Sequence, residues 1–388
     1  YMDFDNLKDY VKISYELTQD GLLIGKGKLA EVSVVPHSEG KTNLQVNVPE
    51  NGKCYLKLTY HLKKEMPLLE EDYILGFDEI EVSQKDAKCQ LAEKWVEKTV
   101  TDSELQVSED DTQIHIKGRE FAYTIDRRTA LFTEMKFAGR EYLNHPMELN
   151  IWRAPTDNDM YIKSEWKKAH YDKAYTRAYT TEVVQGKHGV KITSHASVVA
   201  ETVQKILDVT ITWKIEAAGK IDADIAVTKD DEFPDLPRFG VRMFLDKKLS
   251  AARYFGMGPQ ESYCDKHQAA SHGLYQANVD DLHEDYIRPQ ENGSHYDCEY
   301  VELNNSRYGI VASAEKAFSF NASYYTQEEL EKKTHNYELT ESDSVVFCVD
   351  YALNGIGSNS CGPVVLEQYR FDDVLFRFQF TLIPYVKG

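Results

Sequence analysis

The feature that most constrains this chain is strict two-residue alternation in short runs. In LDVTITWKIEAAGKIDADIAVTKD, Val209, Ile211, Trp213 and Ile215 alternate with polar residues, and Ala218-Gly219-Lys220 interrupts the run. Ile221, Ala223, Ile225 and Val227 then resume it. Successive side chains of a strand point to opposite faces, so this pattern predicts an antiparallel hairpin buried on one side. Near the start, Val11, Ile13, Tyr15 and Leu17 alternate up to a Gln19-Asp20-Gly21 turn. Cys54, Leu56, Leu58, Tyr60 and Leu62 likewise share one face. Only SEWKKAHYDKAYTRAY carries helical spacing, with Trp166 and His170 four apart. The chain therefore reads as all-β: a small sandwich over residues 1–83, a charged linker around Trp95 over 84–103, and a larger β region over 104–388.

Charge narrows the partners. The 388 residues carry 45 basic and 64 acidic side chains, a formal balance of −19. Such a field repels a phosphate backbone and disfavours nucleic acid, while neutral polyols such as sugars stay compatible. The cysteines Cys54, Cys89, Cys264, Cys298, Cys348 and Cys361 are scattered without zinc-type spacing. Free thiols in a reducing cytoplasm are the expectation. No run approaches the 18 or so apolar residues that suggest a membrane span, and no signal-peptide pattern is visible. The chain opens on Tyr1 rather than Met, so a piece of a larger protein is expected.

Several segments invite a chemical reading. Gly256-Met257-Gly258 resembles the start of a phosphate loop, but Pro259 follows and no βαβ context exists, so a tight turn using positive φ is preferred. His267, His272, His283 and His295 cluster in sequence, yet lack metal-ligand spacing and read as surface or partly buried loop residues. Cys361, in NGIGSNSCGP, has no nearby histidine to activate it and reads as a structural or site-lining thiol. In NIWRAPTDND, Asp157 and Asp159 could divide acid and base roles, or Pro155, Asp157 and Asn158 could form a turn with Arg153 paired to a carboxylate.

Four stretches, NIWRAPTDND, YFGMGPQESYCDK, YIRPQENGSHYDCEYVEL and DYALNGIGSNSCGP, resemble in order the C-terminal third of bacterial β-galactosidases of glycoside hydrolase family 2. YMDFDNLKDYVKISYELTQDG is similar to the opening strand of the small sandwich that precedes that region. The resemblance covers essentially the whole chain. It implies an immunoglobulin-like β-sandwich followed by a galactose mutarotase-like β-supersandwich. In that family a TIM barrel upstream carries two glutamates, held about 5–5.5 Å apart for retaining hydrolysis. No alternating βα pattern is present here, so the chain alone should be inactive, with no catalytic residue and no cofactor of its own.

The resemblance also implies partners and site residues. The expected partner is the catalytic barrel, as part of the same polypeptide or as a large subunit, with a galactoside such as lactose as substrate. Mg2+ would belong to that barrel, and the full enzyme would be oligomeric. Arg153, Asp157, Asn158, Asp159, Asn359 and Cys361 are the implied substrate-binding positions, with no metal site. The loop after Asp159 is short here, which reduces its contribution to the pocket border. In some members the position matching Cys361 is a tryptophan that stacks on the sugar acceptor. Cysteine cannot stack, so weaker acceptor preference is expected there. Two other classes are weighed beside this one: an autonomous carbohydrate-binding or structural sandwich, and an aldose 1-epimerase, for which no motif is found.

Overall fold

The computed structural model describes residues 1, 4–96 and 105–387. It divides into two compact units. One comprises Tyr1–Leu91 with Ser271–Leu274, and the other comprises Ala92–Ala270 with Tyr275–Gly388. The remainder of the expected linker, residues 97–103, and the expected domain start at 104 lie outside the described residues.

In the smaller unit a single helical turn, α1 (Leu7–Tyr10), is capped by the Asn6 side chain, which accepts the Lys8 N–H. Four strands follow: β1 (Val11–Gln19), β2 (Leu22–Lys28), β3 (Cys54–Leu62) and β4 (Ile74–Glu81), in the order β2-β1-β3-β4. The β1–β2 reversal falls on Asp20 and Gly21, with φ of +47° and +76°. Both central residues of a tight two-residue hairpin need this left-handed geometry, which explains the Asp-Gly pair. Register places Leu17 opposite Leu56 and Val11 opposite Leu62, and all four are buried. Residues 29–53 contain no strand, although Leu44, Val46 and Val48 alternate half-buried with exposed neighbours.

In the larger unit, α2 (Glu93–Val96) is held by Trp95. Its ring stacks on Tyr385 with centroids 3.9 Å apart, and its Nε1–H donates to the Tyr300 hydroxyl at 3.2 Å. A five-stranded antiparallel sheet comes next: β5 (Gln106–Glu109), β6 (Gln113–Lys117), β7 (Phe121–Asp126), β8 (Leu131–Phe137) and β9 (Arg140–Glu141), paired in chain order. The main sheet is built from β10 (Leu143–Asn150), β11 (Tyr175–Gln185), β12 (Gly189–Ala200), β13 (Val203–Glu216), β14 (Ile221–Lys229) and β15 (Arg238–Asp246). It continues with β16 (Ala251–Gly258), β17 (Ser271–Asn278, whose first four residues group with the smaller unit), β18 (Ser294–Asn304), β19 (Tyr308–Ser323), β20 (Ser344–Leu353) and β21 (Leu375–Val386). Its continuous path is β10-β15-β20-β19-β21-β14-β13-β12-β11, with β18 joined to β19 and β16 to β18.

The expected hairpin is β13–β14, pairing Val209 with Val227, Ile211 with Ile225 and Trp213 with Ala223. Its turn carries Gly219 at φ +90°. Helix α3 (Ile162–Lys168) is shorter than the sequence pattern suggests. Ala169 caps α3, His170 sits left-handed at φ +57°, a 3-10 turn (Tyr171–Lys173) follows, and from Tyr175 the chain is strand, paired with β12. Long-range pairing thus overrides local helical spacing. Among the described residues no helix is long and apolar enough to cross a membrane.

The core gathers Ile211, Trp213, Ile225, Phe132, Tyr123, Val241, Phe347 and Leu382, all nearly free of solvent. Trp213 meets Phe132 edge-on at 4.9 Å and donates its Nε1–H to the Ala130 carbonyl at 2.8 Å. Trp213→Ala removes the ring, opens a cavity and leaves that carbonyl without its donor. A loss of about 3–5 kcal/mol is expected. Urea denaturation of the two proteins measures it, and a loss below about 1 kcal/mol would show that the core refills the space.

Candidate functional site

The four motif segments lie far apart in sequence, and the fold brings them to one loop face of the larger unit. A buried pair of guanidiniums joins them. Arg153, fully buried, donates its Nε–H to Asp159 Oδ2 at 3.1 Å and an Nη2–H to Oδ1 at 2.7 Å. The same group donates to the carbonyls of Asn354 and Gly355, the latter at 3.1 Å. Asp159 Oδ2 also accepts the Thr156 N–H at 2.8 Å, closing the short 3-10 turn Asp157–Asp159. The turn reading of RAPTDND is what the backbone adopts, and Arg153 pairs with the second aspartate.

Arg238, at the start of β15, forms the second centre. It holds Asp350 of β20 through two hydrogen bonds, Nε–H to Oδ1 at 3.1 Å and Nη2–H to Oδ2 at 2.5 Å. A third, from Nη1–H, reaches Glu291 Oε2 at 3.2 Å. A register shift between Phe239 and Gly240 sets Gly240 opposite Asp350. A Cβ on Gly240 would lie 2.4 Å from Asp350 Oδ1, so only glycine admits the carboxylate here. Glu291 is tied back to the first motif, its N–H donating to the Ala154 carbonyl at 3.0 Å. Its Oε1 has no partner among the described residues. Burial therefore pushes the Glu291 carboxyl above its ordinary range, with the two arginines opposing.

Around these centres the segments are pinned through side-chain bonds to backbone. Asp265 accepts the N–H groups of Ile356 and Gly357 at 2.9 and 2.7 Å. Glu261 accepts the Gly293 N–H at 2.8 Å and is paired with Lys266. Asn158 donates to the Gly357 carbonyl at 2.6 Å, while its Oδ1 accepts the Ser360 hydroxyl at 2.8 Å. Gln290 accepts the Asp157 N–H at 3.0 Å. Each glutamine or carboxylate at these places fixes a loop that would otherwise be free to wander.

The six positions singled out in the sequence therefore divide. Arg153 and Asp159 are buried and spend their polar atoms on each other and on backbone, so they anchor the site and present nothing to a ligand. Asp157 and Cys361 are exposed, Asn158 and Asn359 half-buried. The Cys361 sulfur lies 4.0 Å from the Ser360 hydroxyl, on the loop that Asn158 secures. Sequence reasoning passed over Arg238, Glu291, Asp265, Gln290 and Asp350. Asp265, Gln290, Glu291 and Asp350 stand inside the motif segments. Arg238 lies in an ordinary strand and carries no local signal.

Two other sequence readings change. Gly256 and Gly258 do not adopt positive φ. A Cβ would fall 2.2 Å from Cys298 Sγ at Gly256 and 2.3 Å from Tyr254 Oη at Gly258. Close packing, not turn geometry, requires glycine there. His295 is no loop residue. It lies in β18, is 1% exposed, and packs beside Tyr254 and Phe320 with centroids 4.4 and 5.0 Å away. Among the described residues no group of three or more His, Cys, Asp and Glu side chains is placed to hold a metal ion. The buried acids Asp159, Asp350 and Glu261 are each paired with a cation.

A small four-stranded unit and a large antiparallel unit, with loops cross-braced by buried arginines, define an all-β pair of domains. Comparison with known proteins carries this further. Residues 117–382 match the family described as "Beta galactosidase small chain", and residues 1–83 match "Beta-galactosidase, domain 4". A β-galactosidase of Actinobacillus pleuropneumoniae is 41% identical over 385 residues, covering 99% of this chain and 37% of that protein. One from Staphylococcus xylosus is 29% identical over 387 residues, covering 98% and 38%. The chain belongs to the β-galactosidase family and corresponds to its C-terminal, small-chain region. It spans a little over a third of the length of these relatives. A galactose 1-epimerase from Lactobacillus acidophilus aligns over 74% of this chain and all of its own, at 8% identity and a TM-score of 0.39.

Two outcomes follow from the buried charges. Asp350→Asn leaves the Arg238 charge without its main partner and is expected to cost about 3–5 kcal/mol in urea denaturation. Glu291→Gln keeps an acceptor for Arg238 and removes a poorly partnered charge, so its cost should be clearly smaller; equal losses would contradict this division of roles. The second outcome concerns pH. Burial pushes the His295 imidazole down to about 4. Between that value and the ordinary histidine pKa of about 6.5, the unfolded chain binds a proton that the folded one refuses. This stability is present above about pH 6.5 and is lost as pH falls through the window. Melting temperatures across the window should decline less steeply in His295→Phe, and an unchanged slope would count against a buried neutral ring.

Proposed function

We propose that this chain is the non-catalytic portion of a retaining β-galactosidase, completing the sugar pocket of a catalytic barrel carried elsewhere. The observation that carries this reading is the convergence of the four motif segments. Their buried members Arg153, Asp159 and Asp350, with Arg238 of β15, build a rigid base, and the edge bears Asp157, Asn158, Asn359 and Cys361. A base of this kind holds loop atoms in place before substrate arrives, which lowers the entropic cost of shaping a pocket. Asn158 is the joint between base and edge, because its amide binds both Gly357 and Ser360. In this arrangement the edge contacts the substrate or the barrel's own loops, while bond cleavage belongs to carboxylates outside the chain. Asp157 and Asp159 take no part in proton transfer.

The test is complementation. The chain alone should leave a chromogenic β-galactoside intact, and mixing or co-expression with the barrel-bearing portion should restore hydrolysis. Asn158→Ala in the restored enzyme should lower kcat/KM about tenfold, the loss of roughly 1.4 kcal/mol of transition-state stabilisation. Hydrolysis by the chain alone, or a barrel equally active without it, would overturn the proposal.

A further inference from the structure

The sequence contains three Asn-Gly pairs, Asn51-Gly52, Asn292-Gly293 and Asn354-Gly355. A glycine after asparagine has no Cβ to shield its amide nitrogen, which can then reach the carbonyl carbon of the asparagine side chain. Whether it does so depends on what the fold leaves free. Asn292 and Asn354 are buried. Asn292 accepts the Glu284 N–H at 3.0 Å and donates to the Gln290 carbonyl at 2.9 Å, while the Gly293 N–H donates to Glu261 at 2.8 Å. Asn354 accepts the Phe371 N–H at 2.9 Å, and the Gly355 N–H donates to the Tyr369 carbonyl at 2.8 Å. In both pairs the nucleophile and the electrophile are engaged elsewhere.

Asn51 is placed differently. It is exposed in the bend that precedes β3, and its side-chain amide has no hydrogen-bond partner among the described residues. The Gly52 N–H has none there either. The main chain on both sides is nevertheless held. Gln19 Nε2 donates to the Asn51 carbonyl at 2.8 Å, the Lys53 N–H to Asp20 Oδ1 at 2.8 Å, and the Asp20 N–H to the Lys53 carbonyl at 2.7 Å. Glycine is required at position 52, where φ is +78° and a Cβ would lie 2.9 Å from Asp20 Oδ2. The fold thus demands the neighbour that makes asparagine labile.

We propose that Asn51-Gly52 is a site of spontaneous deamidation, the pair that the fold leaves open while it protects the other two. The Gly52 amide nitrogen gives up its proton and bonds to Cγ of Asn51. The Cγ–Nδ2 bond breaks and ammonia leaves, closing a succinimide ring. Water then opens the ring at either carbonyl. In sum, a carboxamide and a water become a carboxylic acid and ammonia, with no change of oxidation state. Opening at the former main-chain carbonyl yields an isoaspartyl link, which adds a methylene to the backbone and turns the acceptor of Gln19 into a free carboxylate. The two buried pairs can react only after local opening, which slows them by the free energy that opening costs.

Peptide mapping of the 388-residue chain held in mildly alkaline buffer tests the assignment. The peptide carrying position 51 should gain the mass of an amino group replaced by a hydroxyl, with the isoaspartyl form in excess over the aspartyl one. Conversion at Asn292 and Asn354 should be slower by about tenfold or more in the folded chain, and urea should bring the three rates together. Asn51→Gln, which would have to close a larger ring, should abolish the product at that position. Its melting temperature should be unchanged, because the amide it moves has no partner among the described residues. In the converted protein, hydrogen exchange at the Asp20 and Lys53 N–H groups should quicken. Conversion at Asn292 or Asn354 as fast as at Asn51 in the folded chain would overturn the proposal. So would a folded chain whose Asn51 stays intact for as long as urea takes to convert it. None of these outcomes bears on complementation of the barrel, so the two proposals fail separately.

Discussion

The structure of the loop face depends on one interaction, the buried bidentate pair of Arg238 and Asp350. A guanidinium with no solvent exposure is tolerable only when its charge is matched and its N–H groups are occupied. Asp350 supplies both, but only because the β15–β20 ladder slips by one residue at Phe239 and Gly240, and because Gly240 has no side chain. Backbone register, a glycine and a charge pair are thus one device. Glu291 joins it as a weaker third member and ties the pair to Ala154, next to the second buried arginine. Removing Asp350, or filling the space at Gly240, strands the Arg238 charge that these parts were arranged to accept.

How much of this could be read from the sequence varies with the range of the interaction. The β13–β14 hairpin was legible because both strands alternate cleanly and their turn lies between them, so local pattern and long-range pairing agree. Helix α3 was overextended because Trp166 and His170 have helical spacing, while the decisive partner of Tyr175–Gln185 is a distant strand. Alternation at Leu44, Val46 and Val48 looks strand-like, yet backbone pairing there does not form. Amphipathic pattern shows which side chains seek burial, not whether a neighbouring backbone is available.

The site shows the same limit. RAPTDND could be recognised as unusual, but sequence left its turn and its paired-acid readings open, and only the Arg153–Asp159 geometry separates them. Arg238 is 112 positions from Asp350 and looks like any strand residue, so no local signal could reveal it. In sequence Gly256 and Gly258 suggest a positive-φ turn, which is not the reason that holds. Their cause is the nearness of Cys298 and Tyr254, which is a fact of packing. Motif segments mark where chemistry gathers; their division into anchors and contacts appears only in three dimensions.

Cys361 stands outside the buried network, exposed on a loop whose position is fixed by Asn158 and Asp265 rather than by its own side chain. Exchanges at such a surface position usually alter stability by about half a kcal/mol or less. The architecture therefore separates two kinds of evolutionary freedom. Its interior arginines are locked together and can change only in concert. The residue at the rim can drift one substitution at a time, while the scaffold beneath stays the same.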